Sequence, residues 1–395
     1  MRLLVISHKA CWSSDANFSG YYTDGGFPSQ MAALSELFTQ TSVAVPCSNA
    51  ETFSELTPLR GQNLVIVPLS VPEGSGVRRK IGMLRWILRN TRTLWREMRK
   101  ADAVHTPIPG DIGTIGMVLA LIQRKPLFVR HCGNWFVQRT VAERMWKRGM
   151  EYFAGGRNVM LATGGDLEPP SKRNPSVKWI FSTSMGSLQI SRNRSRQLPK
   201  DGRLRLVIAC RQEERKGTDV VIASLRFLPN ATLDVIGGGS LLKDLKAQAA
   251  RLGVGDRVTF HGKVRQTAVL DVLDRSHIFC YPTSASEGFP KVVLEALAHG
   301  LPVITTNISV LPRLISEGCG MLLDEPTPDA LAAAVSRISS SDTDYDRMSR
   351  KALETAQQYS LENWRDSIGR SLREAWEVDS LSTTLELSRN GGGRG

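Results

Sequence analysis

Short apolar runs alternate with longer amphipathic stretches in both halves of the chain. Six predicted strands lie in the first half: Leu3–Ser7, Ser42–Pro46, Leu64–Pro68, Ala103–Thr106, Leu127–His131 and Asn158–Ala162. Six more lie in the second half: Leu204–Cys210, Ala231–Ile236, Arg257–His261, His277–Tyr281, Pro302–Thr306 and Met321–Leu323. Helical periodicity fills the stretches between them, most clearly over Pro28–Thr39, Arg78–Lys100, Ile112–Gln123 and Gln138–Tyr152. This alternation predicts an α/β fold whose parallel sheets are covered by helices on both faces.

Twelve strands are too many for one ordinary open sheet, so we expect two doubly wound, Rossmann-like domains. The predicted organisation is a domain over 1–186, a linker over 187–203, a domain over 204–359, a helix over 360–378 and a mobile tail over 379–395. The linker is predicted because the stretch SLQISRNRSRQLPKDGR is polar, basic and weakly periodic. Doubly wound sheets bind ligands beyond the carboxyl ends of their strands, so the two domains are expected to face a central cleft.

Composition limits the class of protein. With 395 residues, 41% of them hydrophobic and 23% charged, the chain has the composition of a globular protein. The longest apolar run, Ile115–Ile122, is far shorter than the roughly 20 residues of a membrane-spanning helix. The apolar stretch after Arg2 is too short for a signal peptide, so a cytoplasmic protein is expected. Six scattered cysteines indicate reduced thiols, and neither a metal site nor a bound cofactor is expected.

The net charge of +13 is uneven along the chain. Residues 1–185 hold 23 Lys and Arg against 13 Asp and Glu, a net of +10, and this excess indicates an anionic partner. Within Arg78–Lys100, four arginines share one helical face: Arg85, Arg89, Arg92 and Arg96. This pattern fits a helix lying on the inner face of an anionic membrane, or equally a core-facing helix with a solvated basic face. A nucleic-acid partner is not expected, because no binding module is present.

The most informative motif is SEGFPKVVLEALAHGLPVI, from Ser286 to Ile304. It follows a predicted strand and opens a helix near Pro290, so backbone N–H groups around Gly288 and Phe289 are expected to bind an anion. Glu287 and Glu295 beside such a site suit a ligand that also carries hydroxyl groups. The alternative is an ordinary helix with solvated glutamates.

Two further motifs follow the first two strands of the second half. In RQEERKG, Arg211 and Lys216 are placed to hold a diphosphate, although Glu213 and Glu214 would also make this an ordinary charged turn. In DVIGGGS, Gly238 and its neighbours are expected to let the backbone approach a nucleotide closely. The spacing is not that of a nicotinamide-binding fingerprint.

The first half contributes three candidate features. Gly25 and Gly26 precede a helix and permit close approach of a ligand, unless they are simply turn glycines. His131 ends a predicted strand and therefore faces the ligand crevice of that sheet. Asn134 and Trp135, just after it, are candidates for acceptor binding.

Together these motifs resemble the family-4 glycosyltransferases of the GT-B fold, described as glycosyl transferases group 1. The resemblance implies that Glu295 binds ribose hydroxyls, Glu287 the donor sugar, and Arg211 with Lys216 the diphosphate. It also matches His131 to a histidine near the transferred sugar. These assignments make His131, Arg211, Lys216 and Glu287 the candidate catalytic residues.

The same resemblance implies donor-binding roles for the glycine loops and for the start of the predicted helix at Pro290. The donor-binding candidates are Gly25, Gly26, Gly238, Gly288, Phe289, Pro290, Lys291 and Glu295. The helix over 360–378 resembles one that crosses back to the N-terminal domain. The chain departs from the family pattern at Cys210, where glycine is usual, and at Pro290 and Lys291, so the donor is not defined.

The resemblance implies a retaining hexosyltransferase that moves a sugar from a nucleoside-diphosphate sugar to an acceptor hydroxyl without a metal. Its expected partners are the nucleotide sugar and a glycan or lipid-linked acceptor, in cell-surface polysaccharide or glycolipid synthesis. Two alternatives remain on the same fold: a nucleotide-sugar epimerase and a non-catalytic membrane-surface protein.

Overall fold

The computed structural model describes residues 1–13, 20–49, 56–74, 76–165, 168–192 and 194–381. These residues form two compact units. Unit 1 contains residues 1–163, 168–184 and 361–381, and unit 2 contains residues 164–165 and 185–360.

Strands and helices are numbered in chain order. The strands are β1 Arg2–Ile6, β2 Cys11–Ser13, β3 Tyr21–Thr23, β4 Gln40–Asn49, β5 Thr57–Pro58, β6 Leu64–Leu69, β7 Ala103–Ile108, β8 Leu127–His131, β9 Asn158–Thr163, β10 Val177–Ile180, β11 Leu204–Ala209, β12 Ala231–Ile236, β13 Val258–Gly262, β14 Ile278–Tyr281, β15 Val303–Thr306 and β16 Gly320–Leu323. The helices are α1 Phe27–Ser35, α2 Gly76–Lys100, α3 Asp111–Ile122, α4 Val141–Phe153, α5 Ser187–Ser191, α6 Thr218–Ser224, α7 Leu242–Arg251, α8 Gln266–Arg275, α9 Lys291–Ala298, α10 Leu311–Ile315, α11 Pro328–Ile338, α12 Asp342–Gln358 and α13 Leu361–Trp376. All twelve predicted strands are present, and the short strands β2, β3, β5 and β10 were not predicted.

Unit 1 is built on a parallel sheet in the order β6-β4-β1-β7-β8-β9-β10, which β2, β3 and β5 extend from the end of β4. Alternate side chains of β1 point to opposite faces of the sheet, and helices cover both faces. Leu4 and Ile6 pack under α2, α3 and α4, whereas Leu3 and Val5 pack under α1 and α13.

Helix α13 follows unit 2 in the sequence but belongs to unit 1. Its buried face consists of Trp364, Ile368, Leu372 and Trp376, spaced four residues apart as one side of a helix. The chain then continues to Leu381, which is buried and whose carbonyl accepts a hydrogen bond from the N-terminal amine at 2.9 Å. Residues 379–381 are therefore not part of the predicted mobile tail, and residues 382–395 lie outside the described part of the chain.

Unit 2 has six parallel strands in the order β13-β12-β11-β14-β15-β16. Relative to their order in the chain this is 3-2-1-4-5-6, the arrangement of a doubly wound nucleotide-binding sheet. The strand order reverses between β11 and β14, which pair through Leu206–Ile278 and Val207–Phe279. Ligands of such sheets bind beyond the carboxyl ends of the strands at this reversal.

Residues 187–203, predicted as a linker, are instead part of unit 2. Ile190 of α5 is buried in the core of that unit, and Arg196 donates from Nε to the carbonyl of His299 at 2.8 Å. The amide of Arg196 also donates to Ser349 Oγ at 2.6 Å. The polar, arginine-rich composition of this stretch predicted a linker. Arg196 instead makes hydrogen bonds to residues of unit 2.

No helix within the described ranges is long and apolar enough to cross a bilayer.

Candidate functional site

The loops after β11 and β14 are bonded together at the point where the strand order of unit 2 reverses. Arg215 adopts a left-handed backbone conformation, with φ of 67°, which is uncommon for a residue with a side chain. Its carbonyl accepts hydrogen bonds from the Ser284 amide at 2.9 Å and from Thr283 Oγ1 at 3.0 Å. Gly217 is required two residues later, because a Cβ there would lie 2.3 Å from the Pro282 carbonyl oxygen. This tight packing brings the side chain of Lys216, which lies between Arg215 and Gly217, against the loop after β14.

Lys216, Tyr281 and Glu287 form a polar cluster at this junction. Lys216 Nζ donates to Glu287 Oε1, and the Tyr281 hydroxyl donates to the same oxygen at 2.9 Å. The side chains of Lys216 and Glu287 are only 13% and 20% exposed, so each charge depends on the other for compensation. Burial raises the pKa of Tyr281, which keeps its hydroxyl protonated as a donor.

Ser309 fixes the backbone of Glu287 from the side of β15. It also has a left-handed conformation, with φ of 53°, and its Oγ accepts from the Glu287 amide at 3.3 Å. The same Oγ lies 3.0 Å from Ser286 Oγ. Strained residues of this kind persist where the surroundings hold them, often at functional sites. Sequence reasoning missed Tyr281 and Ser309: the end of a predicted strand signals the first, and nothing in the sequence signals the second.

Arg211 is placed on the β11 loop but faces solvent. Its side chain is 77% exposed, and Nη1 lies 3.1 Å from Glu213 Oε1. Exposed ion pairs contribute at most about 1 kcal/mol, so an incoming anion can displace Glu213 at little cost. The predicted pair of cations therefore consists of one fixed group, Lys216, and one exposed group.

Glu295 lies on α9, where it faces the start of α8. It is 8% exposed and accepts from Gln266 Nε2 at 2.7 Å. Burial raises the pKa of Glu295, and the Gln266 hydrogen bond and the charge of Lys291 oppose the rise. The two glutamates thus have different environments, with Glu287 bonded to a cation and Glu295 to a neutral amide.

The three glycines after β12 have two different roles. A Cβ at Gly237 would lie 1.8 Å from the Cys210 carbonyl oxygen, and one at Gly239 would lie 2.2 Å from the Gln212 carbonyl oxygen. These two glycines are required by the close approach of the β11 and β12 loops. A Cβ at Gly238 would meet nothing nearer than Lys263 at 3.8 Å, so among these three glycines Gly238 leaves space for a ligand beside its backbone.

Residues 288–291 lead from Glu287 into α9. Gly288 lies in the loop, Pro290 is the N-cap instead of the first helical residue, and α9 begins at Lys291. No side-chain hydrogen bond caps this helix. The ring of Phe289 packs against Tyr359, with centroids 5.8 Å apart, in the core of unit 2. The Phe289 side chain thus has a packing contact, and its donor-binding role stays a prediction.

In unit 1, His131 ends β8 as predicted and is 1% exposed. Burial lowers its pKa to about 4, so the imidazole is neutral near pH 7. It lies edge-on to Trp135, with centroids 5.2 Å apart, and neither ring nitrogen makes a hydrogen bond to the described residues. A neutral histidine carries one donor and one acceptor nitrogen, both of which suit a polar ligand.

Gly26 is the N-cap of α1, directly after Gly25.

Asn134 and Trp135, predicted to bind the acceptor, both make hydrogen bonds within unit 1. Asn134 Oδ1 accepts from the amides of Phe136 at 2.9 Å and Val137 at 3.2 Å, which closes a turn. Trp135 is fully buried and donates from Nε1 to the Pro170 carbonyl at 2.7 Å. Trp135 is as buried as the neighbouring His131, and its acceptor role stays a prediction.

The four arginines predicted on α2 are exposed. Arg89 Nη1 lies 2.9 Å from Glu73 Oε1, and Arg96 Nε lies 3.0 Å from Glu97 Oε1. Arg85 and Arg92 are exposed on the same helix.

The strand order of unit 2 is that of the Rossmann-like folds, and polar side chains gather at its reversal. Residues 189–355 match the family described as glycosyl transferases group 1. The match covers these residues and agrees with the resemblance drawn from the motifs.

Curated relatives match over the same part of the chain. One is the amylovoran biosynthesis glycosyltransferase AmsK of Erwinia amylovora, 33% identical over 151 residues, or 36% of this chain and 37% of AmsK. Another is the phosphatidyl-myo-inositol mannosyltransferase of Mycobacterium tuberculosis, 29% identical over 143 residues, or 35% of this chain and 37% of that protein. The matched segments thus span little more than a third of these relatives.

Solved structures resemble the chain over nearly its whole length. HepE of Anabaena in complex with UDP covers 95% of this chain and 100% of its own, with a TM-score of 0.68 and 15% identity. Sucrose-phosphate synthase of Thermosynechococcus elongatus covers 95% and 99%, with a TM-score of 0.69 and 16% identity. This likeness confirms the GT-B fold with its two Rossmann-like domains.

Proposed function

We propose that this protein is a glycosyltransferase that moves a sugar from a nucleoside-diphosphate sugar to an acceptor hydroxyl with retention of anomeric configuration. The observation that carries the proposal is the Lys216–Glu287–Tyr281 cluster at the strand reversal of unit 2. A ligand there meets a cation and a carboxylate side by side, which suits a diphosphate linked to a hydroxyl-bearing sugar.

Lys216 and Arg211 supply positive charge for the departing diphosphate. The Lys216 ammonium has three N–H donors, and only one is needed to bind Glu287. Arg211 exchanges Glu213 for a phosphate oxygen and adds its planar fork. Losing one such contact in a transition state costs about 3–4 kcal/mol in comparable sites. With two side-chain cations in these roles, the reaction requires no divalent metal.

Glu287 and Glu295 bind the two hydroxyl-bearing parts of the donor. Both observed hydrogen bonds to the Glu287 carboxylate use Oε1, and we assign Oε2 to the sugar hydroxyls. Glu295 binds the ribose hydroxyls and is oriented by Gln266. Gly238 offers its backbone to the nucleotide, and the uncapped start of α9 at Lys291 offers N–H groups to the phosphates.

In unit 1, His131 and the loop of Gly25 and Gly26 keep the sugar-binding roles that the resemblance implies. The neutral imidazole of His131 donates to or accepts from a sugar hydroxyl without adding charge. The acceptor is a glycan or a lipid-linked sugar, in line with relatives named for amylovoran biosynthesis and for phosphatidyl-myo-inositol. The products are then polysaccharide or glycolipid.

A thermal-shift panel tests the donor site. The full chain is heated with UDP-, GDP-, ADP- and dTDP-sugars, and the right donor raises the melting temperature because it binds only the folded state. Lys216→Met removes this stabilisation, whereas the control Lys243→Met, on α7, retains it. A panel in which no nucleotide sugar stabilises the protein would falsify the proposal.

The reaction itself is tested by release of nucleoside diphosphate with the donor found in the panel. We expect EDTA to leave the rate unchanged, and the NMR signal of the new glycosidic bond to show the anomeric configuration of the donor. Inversion of the anomeric centre would contradict the retaining mechanism, and loss of activity in EDTA would contradict the role given to the side-chain cations.

A further inference from the structure

The outer layer formed by α2, α3 and α4 combines exposed apolar side chains with most of the positive charge of the chain. Residues 76–157, which include these helices, hold 17 Lys and Arg against 5 Asp and Glu, a net of +12, while the whole chain carries +13. The rest of the molecule is therefore close to neutral. The three helices pack on one face of the unit 1 sheet, and all contribute to the same core cluster.

Helix α2 has two apolar faces. One face is buried: Met83, Trp86, Leu94 and Met98 lie in the core. The other is exposed: Ile81, Leu84, Leu88 and Trp95 face solvent, and Leu88 is 80% exposed. Among the two explanations for the basic pattern of α2, a core-facing helix with a purely solvated outer face does not account for these side chains.

The exposed apolar side chains continue onto the neighbouring helices. Among the described residues, sixteen large apolar side chains are exposed, and eleven of them lie within 76–157. Beyond α2 these are Val118, Ile122, Val137, Val141, Met145, Tyr152 and Phe153. Trp146 Nε1 donates to Thr114 Oγ1 at 2.7 Å, which joins α4 to α3, and Arg79 Nε lies 3.0 Å from Asp111 Oδ2, which joins α2 to α3. The apolar residues thus belong to one continuous layer, called the α2–α4 surface below.

We infer that the α2–α4 surface docks on an anionic lipid bilayer, with its apolar side chains in the headgroup boundary and its arginines on lipid phosphates. Charge complementarity selects this partner, because basic helices with exposed apolar residues bind such interfaces. A second copy of the chain would bring together two surfaces, each with a net charge of +8 over its three helices, which is strongly unfavourable. Nucleic acid would use the arginines but gives no role to aliphatic residues such as Leu84, Leu88 and Met145.

Cosedimentation of the full chain with vesicles tests this surface. The protein binds vesicles of phosphatidylcholine containing phosphatidylglycerol at low salt, and binds pure phosphatidylcholine vesicles much more weakly. Arg85→Gln with Arg92→Gln weakens binding about fivefold for each arginine removed. The control pair Arg347→Gln with Arg350→Gln, exposed on α12 of unit 2, leaves binding unchanged.

Apolar variants separate a membrane from a purely electrostatic partner. Leu84→Ser with Leu88→Ser, and separately Met145→Ser with Tyr152→Ser, each weaken vesicle binding about tenfold. Phe227→Ser with Leu322→Ser, which changes exposed apolar residues of unit 2, is the matched control and has no effect. Nucleotide-sugar stabilisation stays intact in every variant, so failure of docking is distinguishable from failure of the proposed catalysis.

Three results overturn docking on a bilayer, and a fourth contradicts the extent of the surface. The first is no binding to the anionic vesicles at low salt, and the second is equal loss in the unit 2 control variants. The third is vesicle binding that depends on the arginines alone, together with tighter arginine-dependent binding to single-stranded RNA. Binding that requires Leu84 and Leu88 but not Met145 and Tyr152 contradicts a surface that extends to α4.

Discussion

Two donors share one carboxylate oxygen of Glu287, and only one of them carries charge. The Tyr281 hydroxyl and Lys216 Nζ both donate to Oε1. The tyrosine therefore adds a second restraint on the orientation of the carboxylate. We predict that Tyr281→Phe lowers kcat about tenfold, the cost of one hydrogen bond to a charged group, with little change in KM for the donor. Steady-state kinetics measure both constants.

Tyr345→Phe is the control for this variant. Tyr345 is equally buried in unit 2, and its hydroxyl donates to the His277 carbonyl at 2.7 Å, away from the Glu287 cluster. A kcat that falls as much in Tyr345→Phe as in Tyr281→Phe would assign the effect to general loss of packing.

Glu295 predicts a conflict between stability and binding. Because burial raises its pKa, the charged form destabilises the fold, and this cost grows as pH rises through the raised pKa. We predict that Glu295→Gln melts at a higher temperature than the unchanged protein at pH 7, that the difference disappears near pH 4, and that donor affinity falls about tenfold or more. Thermal melts across pH, with and without donor, measure these effects. A lower melting temperature at pH 7 would show that the charge is compensated in the fold.

The place of a site residue could be predicted from the sequence where the residue directly follows a strand. Lys216 and Glu287 follow strands of a parallel sheet, so their meeting at one edge was predictable, and the structure brings them into contact. Trp135 follows a strand too, but the burial of its aromatic ring was not predictable from that position. Ser309 depends on a positive φ that no residue type signals.

The β11 and β12 loops offer a pair of adjacent glycines with opposite expected tolerance. Gly239→Ala places a Cβ against the Gln212 carbonyl, a contact that only backbone movement relieves, so we predict destabilisation of about 1–3 kcal/mol. Gly238→Ala meets nothing closer than 3.8 Å and leaves the free energy of unfolding almost unchanged. Chemical denaturation of the two variants makes the comparison, and equal stability would contradict the close approach of the loops.

Among the elements, the long parallel strands were predictable and the short pairings were not. Strands such as β8 and β12 have the predicted bounds because burial on both faces gives continuous apolar runs. The strand β5 has two residues and pairs only through β3, so it leaves no periodicity to detect. Helix α5 was not predicted, because its buried residue Ile190 lies in a stretch of mostly polar residues.

The assignment of α13 to unit 1 makes that unit depend on the far end of the chain. Trp364 is buried under the unit 1 sheet, and the Arg130 guanidinium lies 5.0 Å from its ring centroid. We predict that Trp364→Ala costs unit 1 about 3–5 kcal/mol and leaves unit 2 unaffected. Hydrogen exchange read by mass spectrometry locates the change.

Trp95→Ala, at an exposed tryptophan of the same unit, is the matched control and leaves exchange in unit 1 unchanged. Faster exchange throughout unit 2 in Trp364→Ala would contradict the independence of the two units.

At the level of the whole molecule, the sequence predicted two doubly wound domains, because that count follows from the number of strands. The point where the chain leaves unit 1, at residue 184, was not predictable from composition. A boundary is set by where the next side chains pack, and Met185 packs in the core of unit 2.

The interlock of Gly237 and Gly239 with the backbone at Cys210 and Gln212 bears on how this protein can be re-engineered. Gln212 is completely buried and donates to carbonyls at the ends of both β11 and β12, each at 3.0 Å. Transplanting either loop alone from a homologue would leave this amide facing a mismatched backbone. Chimeras built to change the sugar donor should therefore exchange residues 210–217 and 237–241 as a single cassette.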